Sequence, residues 1–342
     1  MDTMRAYRMI EWGRAPEFQE VPVPTPGPGQ VVVKMAGAGL CGSDLHVMHA
    51  PPGFWPQDPP FTLGHENAGT VSAVGSGVLD LSEGDGVLVS GVGFCGSCDR
   101  CVAGLQNECR HLVMAGYGIG RDGGLAEYIL VDAHHAVPIG DLDPKLAAPL
   151  ADAGATSYHA VREQLPRLRP GSTAAVIGVG GLGAYAVQYL EKLTAARVVA
   201  LDTVDHRLAD ARRLGAEETV LSGADAAEQV RDVMGGPVDV VFDFVGATPT
   251  LRTAIDIIGV GGRVVVAGIG GGEVPMGWEK LPMNGHFINS TGFTPAEYRE
   301  IATMAAAGDL EMRSTEFAFD DVEKGFAALR EGTVEGRALV VF

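Results

Sequence analysis

The stretch Ala175-Val176-Ile177-Gly178-Val179-Gly180-Gly181-Leu182-Gly183 sets a G-x-G-x-x-G pattern directly after an apolar run and ahead of a helical one. Each glycine has a mechanical reading. Gly178 permits a tight strand-to-helix turn, Gly180 lets the backbone approach a pyrophosphate, and Gly183 allows the helix to pack closely on the strand; Gly181 and Leu182 complete the loop. The N–H groups at the helix start then face phosphate charge. Asp202 ends the next apolar run about 20 residues further on, where a carboxylate hydrogen-bonds adenosine ribose hydroxyls and repels a 2′-phosphate. The pattern predicts a dinucleotide site that favours NAD over NADP. Arg207 leaves that preference open, because it either braces the ribose or reads a 2′-phosphate.

Outward from this turn, the chain alternates between the two periods. Strands are expected at Thr173 to Ile177, Arg197 to Leu201, Thr219 to Leu221, Val238 to Phe244, Arg263 to Ala267 and His286 to Thr291, with helices between them. Six strands with intervening helices predict a doubly wound parallel sheet across 155–292. Before it lie short runs rich in Val, Ile, Leu and Ala, such as Val31 to Met35, Ala68 to Val74, Gly86 to Ser90 and Ala126 to Val131, separated by Gly and Pro. They predict an irregular barrel-like domain over 1–154, to which the tail 293–342 returns. The fold class is α/β, in two domains.

Composition sets limits on partners. The 342 residues carry a formal charge of −18 and no basic tract, which argues against nucleic acid or an anionic membrane as a partner. No signal-peptide core is visible at the start, and the apolar stretch from Thr173 to Leu190 is too interrupted by glycine to read as a membrane span. An odd cysteine count of 5 suits a reducing compartment, so a cytoplasmic location is expected. Val21 to Gly29 reads as a rigid connector between strands, and Pro51 to Pro60, with Phe54 and Trp55, as either a surface loop or a cleft wall.

The cysteines divide by job. Cys95, Cys98 and Cys101 make two C-x-x-C steps, and Cys109 follows after a longer loop. Four thiolates close a tetrahedral zinc site, which acts as a structural staple; an iron–sulfur cluster uses the same donors. Cys41 stands apart, beside Gly42-Ser43-Asp44-Leu45-His46 and upstream of Gly64-His65-Glu66, and Asp152 sits in Leu150-Ala151-Asp152-Ala153-Gly154. A thiolate, an imidazole and a carboxylate leave a zinc position open for chemistry.

Taken together, these segments resemble the zinc-dependent medium-chain alcohol dehydrogenase family, in particular its bacterial secondary-alcohol branch, along essentially the whole chain. The resemblance implies a GroES-like irregular β-barrel catalytic domain joined to a Rossmann domain, two zinc ions per chain, NAD, and a small-molecule alcohol or carbonyl substrate. It implies a homo-oligomer, a tetramer or a dimer. It assigns Cys41, His65 and Asp152 to the catalytic zinc, with Glu66 as an additional or alternating ligand. Family members commonly have a second cysteine where this chain has Asp152, yet a carboxylate keeps the ligand charge at that of two thiolates and a histidine, and gives a harder donor. A degenerate, metal-free site with Asp152 as a cap is the alternative.

By the same resemblance Ser43 takes the alcohol proton in a relay that runs through ribose hydroxyls to His46, while Asp44 fixes the His65 ring. Thr156, Val245, Gly268 and Ile269 correspond to positions near the nicotinamide, and Arg337 to a residue that contacts pyrophosphate. Trp55, Trp278 and Phe293 are candidates for an apolar substrate wall. Secondary or bulky hydrophobic alcohols are the expected substrates, against a polyol or amino-alcohol dehydrogenase of the same fold or a non-catalytic, zinc-stabilised nucleotide-binding protein.

Overall fold

A computed structural model describes residues 2–55, 58–111 and 116–342. The chain forms two compact units, Met1–Ala155 with Gly292–Phe342, and Thr156–Thr291.

The first unit is built on a sheet whose order is Ser314–Ala318, Arg337–Val341, Gln30–Leu40, Glu66–Val74, Gly86–Val89 and Ala136–Pro138, with Tyr128–Asp132 also paired to the long Gln30–Leu40 strand. Register shifts between Val32 and Val33 and between Met35 and Gly37 curl that central pair. A second sheet runs Glu17–Pro22, Thr3–Met9, Phe61–Thr62. The interior is filled by Met9, Val33, Leu40, Leu63, Val87 and Phe326, all buried.

The central strand is longer than the expected Val31 to Met35, because Gly37 and Gly39 read as punctuation. They are close-packing positions. A Cβ on Gly37 would come within 2.9 Å of Lys145 O, and one on Gly39 would overlap the Glu66 carboxylate. A side chain there would evict Glu66 from the site described below. The strands Thr3–Met9 and Ser314–Ala318 and the helices Gly42–Met48 and Val322–Glu331 lie outside the expected elements. Of Val21 to Gly29, residues 23–29 connect the strands Glu17–Pro22 and Gln30–Leu40, while Val21 and Pro22 end the first of them. In the Pro51 to Pro60 loop, Pro56 and Gln57 lie outside the described residues.

The second unit holds one parallel sheet in the order Glu218–Leu221, Arg197–Asp202, Thr173–Ile177, Val238–Asp243, Ile258–Val266, His286–Asn289. The chain winds outward from Thr173–Ile177 in one direction, then returns to start again on that strand's other side. This reversal opens a crevice at the strands' carboxyl ends, where Gly178 begins its turn. Val199, Val220, Val230, Val241 and Ile257 pack the layer between sheet and helices. Among the described residues, no helix is long and apolar enough to cross a membrane.

Candidate metal and dinucleotide sites

Cys41 caps the helix Gly42–Met48 in an extended conformation, φ −120° and ψ 156°. Its thiol therefore projects from a fixed helix start. Asp44, three residues on, accepts the Cys41 N–H at 2.9 Å through Oδ2, while its Oδ1 lies 2.8 Å from His65 Nδ1. One fully buried carboxylate thus orients two donors at once. The residue caps the helix from within its first turn, and it holds His65 so that Nε2 faces the cluster.

Donor atoms of Cys41, His65, Glu66 and Asp152 all lie within 4.8 Å of one another. Asp152 Oδ2 is 3.8 Å from Cys41 Sγ and 3.6 Å from His65 Nε2. Bonds of about 2.0–2.3 Å in a tetrahedron put donors roughly 3.3–3.8 Å apart, so the spacing fits zinc. Ionisation fits too. Burial pushes Cys41 up, but the Arg337 charge and His65 outweigh it and leave the thiol lowered. Burial likewise opposes ionisation of Asp152, and the His65 hydrogen bond carries the carboxyl below its ordinary range. Both donors favour the anions a cation needs.

Glu66 is placed differently. Arg337 donates from Nε to Glu66 Oε2 at 2.9 Å and from Nη2 to Oε1, in a pair almost wholly shielded from solvent. Where the resemblance assigns Arg337 to a pyrophosphate, the structure commits its guanidinium to Glu66, with a side chain only 6% exposed. The reason is electrostatic: a buried carboxylate without a partner costs several kcal/mol (order of magnitude), and Arg337 is the cation that answers it.

Ser43 lies 3.6 Å from Cys41 Sγ, and His46, one turn on, is exposed. Of the wall candidates, Trp55 is half-buried against the first unit's core and Trp278 is 97% exposed, whereas Phe293 is core, its ring 4.8 Å from Tyr298. Phe293 follows the strand His286–Asn289 too closely in sequence to be told from a loop aromatic. Its burial only appears once the chain is folded.

Cys95, Cys98, Cys101 and Cys109 also converge, with Cys98 Sγ 3.5 Å and Cys95 Sγ 4.0 Å from Cys101 Sγ. Backbone N–H groups point inward: Cys95 N–H donates to Cys109 Sγ and Cys98 N–H to Cys95 Sγ, each at 3.3 Å. Hydrogen bonds with Ser97 lower the Cys95 thiol to about 5, and burial raises Cys101 to about 12. The loop is tied to the barrel by His135, a fully buried ring whose Nε2 lies 3.0 Å from Phe94 O.

In the second unit, Gly178 takes φ +82° against Val245, and a Cβ on Gly183 would overlap Gly178 O. Gly180, by contrast, has open space, its hypothetical Cβ meeting only Arg207 Nη1 at 3.8 Å. That is what a ligand-facing glycine requires. The adjoining cleft, ≈ 340 Å³, is lined by Gly180, Gly181, Leu182, Asp202, Arg207 and Val245 among others. Asp202 holds the turn by accepting Val179 N–H at 2.9 Å on Oδ2 and Val204 N–H at 3.0 Å on Oδ1, and Arg207 Nη1 lies 3.7 Å away. Val245 and Ile269 are 37% and 58% exposed, and Gly268 packs against the Val245 backbone. Thr156 lies in the helix Ala153–Arg162.

A thiolate quartet, a mixed-donor cluster and a glycine-lined crevice on a doubly wound sheet define a zinc-binding dehydrogenase. Residues 27–141 match the family described as "Alcohol dehydrogenase GroES-like domain", and residues 181–307 match "Zinc-binding dehydrogenase". An alcohol dehydrogenase of Moraxella sp. (strain TAE123) is 34% identical over 98% of this chain and 99% of its own length. The crystal structure of the alcohol dehydrogenase of Aeropyrum pernix superposes with a TM-score of 0.90 at 33% identity, covering 99% of this chain and 100% of that one. Acetophenone reductase from Geotrichum candidum, solved with NAD, gives 0.89 at 28% identity over 100% and 98%. The chain belongs to the zinc-dependent medium-chain alcohol dehydrogenase family.

Proposed function

We propose that this protein is an NAD-dependent alcohol dehydrogenase that holds two zinc ions, a structural one on Cys95, Cys98, Cys101 and Cys109 and a catalytic one on Cys41, His65 and Asp152. The observation that carries the reading is the donor set: a thiol, an imidazole and a carboxylate at zinc spacing, with Glu66 engaged by Arg337. Zinc held there would supply Lewis acidity toward an alcohol oxygen, and NAD held at the glycine turn would supply the hydride acceptor. The chain's own residues do the rest. Asp44 keeps the His65 ring in place, Ser43 Oγ takes the alcohol proton, and the exposed His46 returns it to solvent. Gly180 gives the pyrophosphate access to backbone, and Asp202 with Arg207 faces the adenosine ribose.

Secondary or bulky hydrophobic alcohols are the favoured substrates. Acetophenone is a ketone whose reduction gives a secondary alcohol, and the exposed ring of Phe54 offers apolar surface without added polar groups. Five cysteines assigned to zinc rather than to disulfides suit a cytoplasmic enzyme, and the family resemblance suits a homo-oligomer. The test is zinc content together with NADH formation on a panel of primary, secondary and polyhydric alcohols. Two zinc ions and turnover of secondary alcohols are expected; one zinc with nucleotide binding and no turnover would identify a non-catalytic protein instead.

A further inference from the structure

Asp152 sits where regular backbone stops. It follows the short 3₁₀ turn Ala148–Ala151, precedes the helix Ala153–Arg162, and takes φ −137° and ψ −64°, outside both the helical and the strand ranges. Neither a helix nor a strand sets that conformation, which belongs to a turn. The peptide before it is held instead by a side chain from far along the chain: the Tyr298 hydroxyl donates to Ala151 O at 2.5 Å.

Tyr298 is itself rigidly placed. It is fully buried, its ring packs 4.8 Å from that of Phe293, and it lies in the first turns of the helix Pro295–Ala306. A reciprocal cap locks that helix start, with Glu297 Oε2 accepting Thr294 N–H at 2.7 Å and Thr294 Oγ1 accepting Glu297 N–H at 3.3 Å. A carboxylate ligand makes such a clamp useful. Its oxygen lies one bond further from Cβ than a thiolate sulfur does and turns about an additional torsion, so its aim depends more on where the backbone is fixed.

We propose that Tyr298 is the positioning residue for the carboxylate ligand: by holding the Ala151 carbonyl it sets the backbone from which Asp152 reaches the metal. This rests on Asp152 being a ligand. The test is the rate at which a chromogenic chelator takes zinc from the intact protein, resolved into its two phases. Tyr298→Phe is expected to speed release of one zinc by about tenfold, to leave the other phase unchanged, and to keep the circular dichroism spectrum. Phe293→Leu, which loosens the same packing but keeps the hydroxyl, is expected to lower the melting temperature without accelerating release. Wild-type release from Tyr298→Phe would overturn the proposal while Asp152→Asn, if it loses one zinc, leaves the ligand assignment standing. Wild-type zinc retention in Asp152→Asn would overturn both. If Tyr298→Phe does not fold, 3-fluorotyrosine at this position gives the same answer in the otherwise unchanged protein: its fluorine resonance must move when the more labile zinc is stripped, and a stationary resonance contradicts the clamp.

Discussion

Asp44 Oδ1 lies 2.8 Å from His65 Nδ1 in a pair with essentially no access to solvent. The same carboxylate accepts the Cys41 N–H. The two donors nearest the amino terminus are therefore aligned by a residue that ligates nothing.

Asp44→Asn keeps the shape but removes the charge that fixes the ring. Burial alone pushes His65 down, and the Asp44 carboxylate is the principal cause of its net rise. Catalytic-site metal affinity should fall roughly 10- to 100-fold with little loss of fold, as read by competition with a chelator. Unchanged affinity would show that ring orientation comes from packing alone.

The glycines of the dinucleotide turn separate structure from binding. Gly183→Ala should destabilise the protein by about 1–3 kcal/mol, because the new Cβ overlaps Gly178 O and neither backbone can yield cheaply. Gly180→Ala meets only Arg207 Nη1 and should leave the melting temperature alone while weakening NAD binding. Calorimetric melts and NAD titrations of the two variants distinguish these outcomes; equal effects on stability would contradict the assignment.

Asp202 has two jobs, so replacing it has two consequences. Asp202→Ser removes the charge proposed to face the ribose and frees Arg207, whose Nη1 lies 3.7 Å from Oδ1. The ratio of kcat/KM for NADP over NAD should rise by at least about tenfold, one such factor being about 1.4 kcal/mol of differential interaction. A weaker grip on the Val179 N–H should also raise KM for both cofactors. Undiminished preference for NAD would remove Asp202 from ribose recognition.

His135 predicts a pH dependence of stability. Burial lowers it from 6.5 to about 4, so between these values the unfolded chain binds a proton that the folded one refuses. Stability from this group is present above pH 6.5 and is lost as pH falls toward 4, by about 3 kcal/mol in all. Urea midpoints measured across this window should fall in the wild type and fall less in His135→Gln. Parallel curves would assign the acid sensitivity elsewhere.

What the sequence discloses is set by range. The strand, turn and helix around Gly178 are contiguous, and the cysteine quartet fits within one loop, so residue type and spacing suffice. The open site is legible only in pieces, since Cys41, His65 and Asp152 come from three segments that folding brings together. Partnerships of long separation leave no local trace: Arg337 meets Glu66 across 271 positions and Tyr298 meets Ala151 across 147. Gly42-Ser43 begins a helix that no local apolar period announces, because Asp44 supplies the cap from inside it.

The assignment of a carboxylate where the family resemblance implies a thiolate is tested most directly by counting zinc in Asp152→Ala by elemental analysis, against the wild type purified alongside. The thiolate quartet should keep its ion and the mixed site should lose its own, so the count falls from two per chain to one and alcohol oxidation ceases. Two zinc ions retained in Asp152→Ala would contradict it.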